Sequence, residues 1–459
     1  MTTTPNPWPL DFTNRMRDWL GDETPNFFAA LAKRDVGLRL NPRRGPLDLL
    51  KARIPWATQP VPWCPEGLWL QDDAQVGNHF LHTTGVYYVQ DPSAMAAGIL
   101  LDPQPGEWIL DLAAAPGSKA THIAARMRGD GVLVANEISR RRASVLAMNL
   151  ERMGVTNAMV TNETPDRLAA RWPGLFDALL VDAPCSGEGT FARDAQALRE
   201  WSLSMVSGYA YRQKLILDEA APLLRRGGRL LYGTCTFSPE ENEGVIADFL
   251  AQHPDFEIVD LPQVLGLHPG HPEWIAAPDE LRRAGRFWPH TGPGHGHFYA
   301  LLRRKGEPPN DLPERWAGME VPGRVWSLYQ KSVGEALVVD LPEKGLLLTK
   351  DDDLYVTPIA PHLGHGLHVL RPGWWVASLR HNKVFPDHAL AMALRSADAH
   401  GVVDLTQDDP RLAKYLRGGF WPDRDAGDYI LVTVEGFPLG WAKRGDGRLR
   451  SRYPVHLRG

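Results

Sequence analysis

The chain of 459 residues is poor in cysteine, with only Cys64, Cys185 and Cys235. Three thiols cannot build a disulfide framework, and so few fit a reducing compartment, so a cytoplasmic protein is expected. No Cys-x-x-Cys or comparable Cys/His spacing surrounds Cys185 or Cys235. That disfavours zinc, and no metal is expected. No stretch approaches the ~18 consecutive apolar residues that a membrane span needs. Residues 1–10 carry neither the basic nor the apolar segment of a secretory signal. Positive charge is not in excess either. Lys and Arg number 50 against 55 Asp and Glu, a formal net charge of −5, so binding to nucleic acid has to come from local clustering. Internal repeats and low-complexity tracts are absent.

What is present is ordinary globular composition, 43% hydrophobic and 23% charged. The length implies roughly three domains of about 150 residues. The organising stretch is Trp108-Ile-Leu-Asp-Leu-Ala-Ala-Ala-Pro-Gly-Ser-Lys119. An apolar run ending in Asp111 predicts a buried strand. Small residues and Pro116-Gly117 predict a tight loop, and Ser118 opens a helix through Ala120, Ile123, Ala124 and Met127. Such a junction presents backbone N–H groups and lets a cofactor approach the main chain. The loop has neither G-x-G-x-x-G nor G-x-x-x-x-G-K-[ST], which disfavours dinucleotides and nucleoside triphosphates.

Before this stretch, residues 1–91 predict a small irregular module. Helical pattern covers 11–33, followed by a basic segment (Lys33, Arg34, Arg39, Arg43, Arg44, Lys51, Arg53) and an aromatic, Pro-rich tract. The basic residues either contact phosphates or form a solvated surface. From 92 to 305 helices and strands alternate. Strands are expected at 108–112, 132–136, 158–161, 178–182, 229–232 and 256–259, and helices at 93–101, 118–128, 139–153, 166–172, 205–225 and 239–253. Residues 287–303 read as a last pair of strands. This alternation predicts a parallel sheet covered on both faces, with ligands beyond the strand C-termini. Asp111, Glu137, Asp182 and Cys235 all fall there. Residues 306–322 read as a linker. Short β-like runs follow (337–341, 345–349, 354–356, 374–379, 429–434), with a helix at 386–395, in two expected units, 323–398 and 399–459. The last carries Lys443, Arg444, Arg448, Arg450, Arg452 and Arg458 among aromatics, which suits RNA; a basic tail on a structural domain is the alternative.

Two thiols sit in loops after strands, fifty residues apart: Cys185 in Asp-Ala-Pro-Cys-Ser-Gly-Glu-Gly and Cys235 in Gly-Thr-Cys-Thr-Phe-Ser-Pro-Glu-Glu-Asn-Glu. A lone cysteine is usually a small buried hydrophobe, but two on one functional edge point to chemistry. Methylation of a pyrimidine at carbon 5 needs a thiolate to add at carbon 6. It also needs an acid near N3 and the exocyclic amine, and a base that removes the carbon-5 proton. Asp182 and Lys119 are placed for the pocket, and either cysteine can supply the thiol. His290, His295 and His297 are expected to shape a turn.

These motifs together, Asp111-Leu-Ala-Ala-Ala-Pro-Gly-Ser-Lys119, Asp182-Ala-Pro-Cys-Ser-Gly187 and Thr234-Cys235 before Pro239-Glu-Glu-Asn-Glu243, resemble the RNA cytosine-5 methyltransferases of the Nop/Sun family. Tyr87-Tyr-Val-Gln-Asp-Pro-Ser93, the Cys-Ser-Gly-Glu-Gly-x-Phe form and the long C-terminal extension are similar to the bacterial 16S rRNA methyltransferase F subgroup. The resemblance implies a class I, Rossmann-like α/β sheet that binds S-adenosyl-L-methionine, with a C-terminal α+β extension ending in a PUA-like RNA-binding module. It implies Cys235 as nucleophile, Cys185 in product release, and Lys119 and Asp182 on the target base. Donor contacts are implied for Ala113, Ala114, Ala115, Pro116, Gly117, Ser118 and Lys119, with Asp182 beside them and Glu137 on the ribose. Ser118 and Ala120 replace a common Gly and Thr of the family, and Asn162 is the candidate near the adenine. The implied partner is 16S rRNA or the small ribosomal subunit, acted on by a monomer. Other readings are a DNA cytosine methyltransferase, a cytosine-5 methyltransferase of another RNA, and a non-catalytic ribosome-assembly factor on the same fold.

Overall fold

In the computed structural model, which describes residues 8–71, 75–308, 316, 318–341, 345–425 and 428–458, the apolar runs become the parallel core of a ten-stranded sheet. Strands Leu224–Thr234, Phe176–Asp182, Trp108–Asp111, Val132–Asn136 and Ala158–Thr161 lie side by side in that order, all parallel. The Trp108, Val132 and Ala158 strands are buried at every residue, because helices cover both faces. Side chains alternate between two cores. Trp108 and Leu110 pack with Leu168, Leu217 and Phe249, whereas Ile109 packs with Met95, Ile123 and Leu146. The chain steps outward from Trp108–Asp111 and then returns to its other side at Phe176–Asp182. In open parallel sheets ligands bind at such a reversal, in a crevice beyond the strand C-termini.

The expected last pair of strands, at 285–287 and 297–304, makes the sheet mixed. His297–Arg304 runs antiparallel between Leu224–Thr234 and Phe256–Val259, and Gly285–Phe287 and Leu267–Pro269 extend that side. Strand Leu224–Thr234 begins earlier than expected. The helix expected at 205–225 ends at Ala220, and Gly227 (φ 75°) lets the strand run through 225–228 with a register irregularity. The helix expected at 239–253 shortens to Glu243–Gln252, since Glu241 and Asn242 hold loops instead. The opposite edge is also unexpected. Val369–Arg371, from the C-terminal third, pairs antiparallel with Ala158–Thr161.

The N-terminal module is more regular than its composition suggests. A four-stranded sheet contains Asp35–Leu40 and Gly67–Gln71 at its centre. The helical pattern before it is two helices, Leu10–Leu20 and Thr24–Leu31, broken at Gly21 (φ 51°). Their apolar faces bury Phe12 and Phe27 against Phe191, Trp201, Phe237 and Trp288.

Two five-stranded sheets follow the central one. The run 337–341 is not a strand: Leu337 makes one isolated bridge to Ala399, and Val338 and Val339 are exposed. Of the expected linker, residues 309–315 and 317 lie outside the described residues, while Met319–Glu320 pairs with Leu346–Leu347. Among the described residues no helix is long and apolar enough to cross a membrane.

Candidate active site

The loop from Leu112 to Gly117 is fixed by the two strands beside it. Leu112 N–H donates to Leu180 O (2.9 Å) and Ala114 N–H to Asn136 O (2.8 Å). Arg142 and Asn149 donate to Ala115 O and Pro116 O (2.7 and 2.8 Å). Gly117 adopts φ 112° before helix Ser118–Arg126. A Cβ there would meet Leu146 Cδ1 at 3.3 Å, so glycine serves both the turn and the packing.

Lys119, the second residue of that helix, reaches back across the crevice. Its Nζ donates to Asp182 Oδ2 at 2.6 Å. Burial pushes the Lys119 ammonium toward deprotonation, but the charges of Asp182, Cys235 and Asp111 outweigh it and raise it overall. Asp111, wholly buried at the end of its strand, is the opposite case. Neither carboxyl oxygen has a well-formed hydrogen bond, though the Ala113 amide faces it. Burial, then the Asp182 charge, push it up to about 8.

The two thiols meet: Cys185 Sγ and Cys235 Sγ are 3.3 Å apart, both free and partly exposed. The strands that precede them are neighbours in register, Asp182 opposite Gly233. The hydrogen bond with Cys235, then burial, hold the Cys185 thiol well above its ordinary range, so Cys185 keeps its proton. Around the pair is a polar frame. Glu188 accepts from Trp201 Nε1 (3.0 Å), Phe237 N (2.7 Å) and Ser238 Oγ (2.6 Å). Gly189 N–H donates to Cys235 O at 2.8 Å. Glu241 accepts from Ser186 and Thr236, the residues that follow each cysteine.

Glu137 directly follows strand Val132–Asn136. Its Oε1 accepts from Ser139 N (2.9 Å), and its Oε2 faces Arg142 Nη1 at 3.0 Å as an ion pair rather than a well-directed hydrogen bond. Asn162 ends the strand beyond. Its side-chain amide donates to Glu137 O and Ile138 O (2.7 and 2.8 Å), so it shapes the Glu137 loop. The Lys119–Asp182 pair and the two cysteines thus meet beyond the C-terminal ends of neighbouring strands, and Glu137 and Asn162 follow the next two strands of the sheet.

This geometry has relatives. Family profiles described as 16S rRNA methyltransferase RsmB/F, the RsmF N-terminal domain, the RsmF first C-terminal domain and the RsmF PUA domain match residues 98–303, 8–92, 333–394 and 402–459. Ribosomal RNA small subunit methyltransferase F of Vibrio vulnificus is 32% identical over 414 residues, 88% of this chain and 86% of that one. The protein of the same name from Escherichia coli K12 is 33% identical over 428 residues, covering 89% and 87%. The chain belongs to the ribosomal RNA small subunit methyltransferase F family. A methyltransferase homologue from Pyrococcus horikoshii superposes with a TM-score of 0.57 at 29% identity, over 65% of this chain and 96% of that one. The structure of NSun6 from Pyrococcus horikoshii with SFG gives 0.57 at 21% identity, over 65% and 99%, a likeness of fold.

The cofactor of this methyltransferase fold is S-adenosyl-L-methionine, and the residues present fit it. A buried carboxyl without a well-formed hydrogen bond, Asp111, suits the cationic end of such a molecule. The loop of small residues leaves room for such a molecule against the backbone, and Glu137 is a buried carboxylate one strand away.

The contacts of several residues around this site go beyond what the sequence suggests. Glu188 and Glu241 lay within quoted motifs, but nothing in spacing says that a carboxylate will turn inward. His297 Nδ1 pairs with Ser93 Oγ at 2.8 Å. Burial, then the Lys119 charge, push it down to about 4. His295 bonds Asp91 at 2.5 Å and Lys33 O at 3.0 Å, joining the N-terminal module to the hairpin loop. The basic segment needs correction for two residues. Arg39 is buried, donating to Gln90, Ser118 O and Thr121, and Arg44 donates to Thr84 O and Arg152 O. Neither reaches out to a phosphate.

Proposed function

We propose that the protein transfers a methyl group to carbon 5 of a cytosine in small-subunit ribosomal RNA, through a covalent adduct between Cys235 and carbon 6. The observation that carries this reading is the pair of sulfurs at 3.3 Å beside the Lys119–Asp182 pair. Cys235 adds as thiolate to carbon 6. Asp182 and Lys119 contact N3 and the exocyclic amine, where charge gathers as carbon 5 becomes nucleophilic. Bound S-adenosyl-L-methionine supplies an electrophilic methyl group to carbon 5. Water then takes the carbon-5 proton, the electrons of that C–H bond form the carbon 5–carbon 6 double bond as the Cys235–carbon 6 bond breaks, and the Cys185 thiol donates a hydrogen bond to the departing Cys235 sulfur. Ala113–Ser118 with Lys119 carry the donor, Glu137 holds its ribose, and Asn162 supports the adenine end by positioning the Glu137 loop. The target base leaves its stack to enter the crevice. The chain acts in the cytoplasm as a monomer, on 16S rRNA or the small subunit.

The test is methyl transfer from labelled donor to 16S rRNA and to small subunits from a strain lacking this gene, followed by nucleoside analysis. Label in 5-methylcytidine supports the reading. Label in another nucleoside, or RNA binding without transfer, overturns it.

A further inference from the structure

The two sulfurs belong to loops fifty residues apart, and their meeting needs something that fixes both loops at once. Glu241 does this. It is fully buried in the turn before helix Glu243–Gln252. One oxygen accepts from the Ser186 backbone N–H (2.9 Å) and from Gln213 Nε2 (2.9 Å), whose amide also donates to Pro184 O (2.9 Å). The other accepts from Ser186 Oγ and from Thr236 Oγ1 (3.1 Å), and the two hydroxyls are 2.9 Å from each other. Pro184 and Ser186 flank Cys185, and Thr236 follows Cys235. One carboxylate therefore holds the residue after each thiol directly, and reaches Pro184, before the first thiol, through Gln213. Its own backbone is anchored by Tyr232 Oη, which donates to Glu241 O at 2.7 Å, so the clamp is built onto the strand that leads to Cys235.

We propose that Glu241 is a positioning residue for methyl transfer, holding the Cys185 and Cys235 thiols at reacting distance; this rests on the two-thiol reading above. A carboxylate suits the task because it only accepts, and four donors from three segments converge on it. Glutamine at this position brings an NH2 group to face donors, so part of the clamp opens although the shape is kept. Burial, then the charge of Glu188, push Glu241 up to about 7. Facing it besides Glu188 are the Cys185 thiol and the Tyr232 hydroxyl, both held protonated well above their ordinary ranges.

The experiment compares the full-length protein with Glu241→Gln, and with Ser186→Ala and Thr236→Val, which remove the clamp from its other end. Each carries Cys64→Ala so that only two thiols remain. Diamide takes two electrons and two protons from the thiol pair, becoming the hydrazine, and the sulfurs join. Peptide mass mapping gives the rate of Cys185–Cys235 disulfide formation, a distance readout that needs no catalysis. We expect slower disulfide formation in all three variants. We also expect kcat to fall on the order of 10²-fold for Glu241→Gln, as for a misplacement of about 1 Å, with KM for RNA and donor unchanged. Unchanged disulfide rates in the three variants overturn the proposal even if methylation is confirmed. Slower disulfide formation in a protein that forms no 5-methylcytidine supports the clamp and overturns the functional reading instead.

Discussion

Asp111 shows how much a single residue can reveal in the fold and how little in the sequence. As a letter it ends an apolar run; in place it is a buried carboxyl pushed up to about 8. A carboxyl raised in the folded state favours its protonated form, so it lowers stability as pH rises from the usual carboxylate range through about 8. Cationic donor bound beside it favours the ionised form and releases a proton. Calorimetry is expected to show tighter S-adenosyl-L-methionine binding as pH rises toward about 8, with proton release varying across buffers. In Asp111→Asn both effects disappear and affinity drops; an unchanged pH slope in that variant contradicts the assignment. The residues proposed to react are, by contrast, legible as a group that the fold brings together. Cys185, Cys235, Lys119 and Asp182 stand in motifs whose spacing puts them at strand ends. Glu241 and Glu188 are not, because no local pattern tells a buried carboxylate from a solvated one in a polar turn.

At the scale of elements, the parallel strands were readable for a physical reason. Burial on both faces leaves uninterrupted apolar runs such as 132–135. The N-terminal sheet was not readable, because its strands carry groups that break the pattern. Arg39 sits in strand Asp35–Leu40 yet lies inside the protein. Its guanidinium bonds the opening turn of the donor-loop helix through Ser118 O and Thr121, and burial pulls it down to about 10. Arg39→Ala leaves those acceptors unsatisfied, so chemical denaturation is expected to show a loss of about 2–4 kcal/mol. A change within about 0.5 kcal/mol, usual for surface sites, would place Arg39 among the RNA contacts instead. Gly189 gives a second test. A Cβ there would sit 2.9 Å from both Cys235 O and His295 O, so Gly189→Ala is expected to displace the Cys235 loop. Single-turnover rates should fall while donor binding by calorimetry holds; equal rates would mean that the loop yields without cost.

Across the whole molecule, the C-terminal third is bound into the catalytic sheet rather than strung beside it. Strand Val369–Arg371 closes one edge, and Arg371 pairs with Glu151 at 2.7 Å. Cutting the chain after the catalytic domain would therefore uncover a sheet edge, and RNA binding is better tested by point substitution. Register sets Phe420, Arg450, Lys443 and Tyr429 in one row across four strands, and Lys414, Arg448 and Arg450 all lie over the exposed Phe420 ring. This local cluster answers the net charge of −5. Replacing Lys443, Arg448 and Arg450 with Gln is expected to weaken rRNA binding and to lower its salt slope by about one for each phosphate no longer neutralised. An unchanged slope would remove this face from RNA recognition.

The central claim is that one sulfur joins the pyrimidine and the other lets it go. Its most direct test is to incubate Cys185→Ser and Cys235→Ser with substrate RNA and S-adenosyl-L-methionine, then map any protein–RNA linkage by mass spectrometry. The account predicts a trapped adduct on Cys235 in the Cys185→Ser protein, and neither adduct nor methyl transfer in Cys235→Ser. An adduct on Cys185, or methylation that survives loss of Cys235, would contradict it.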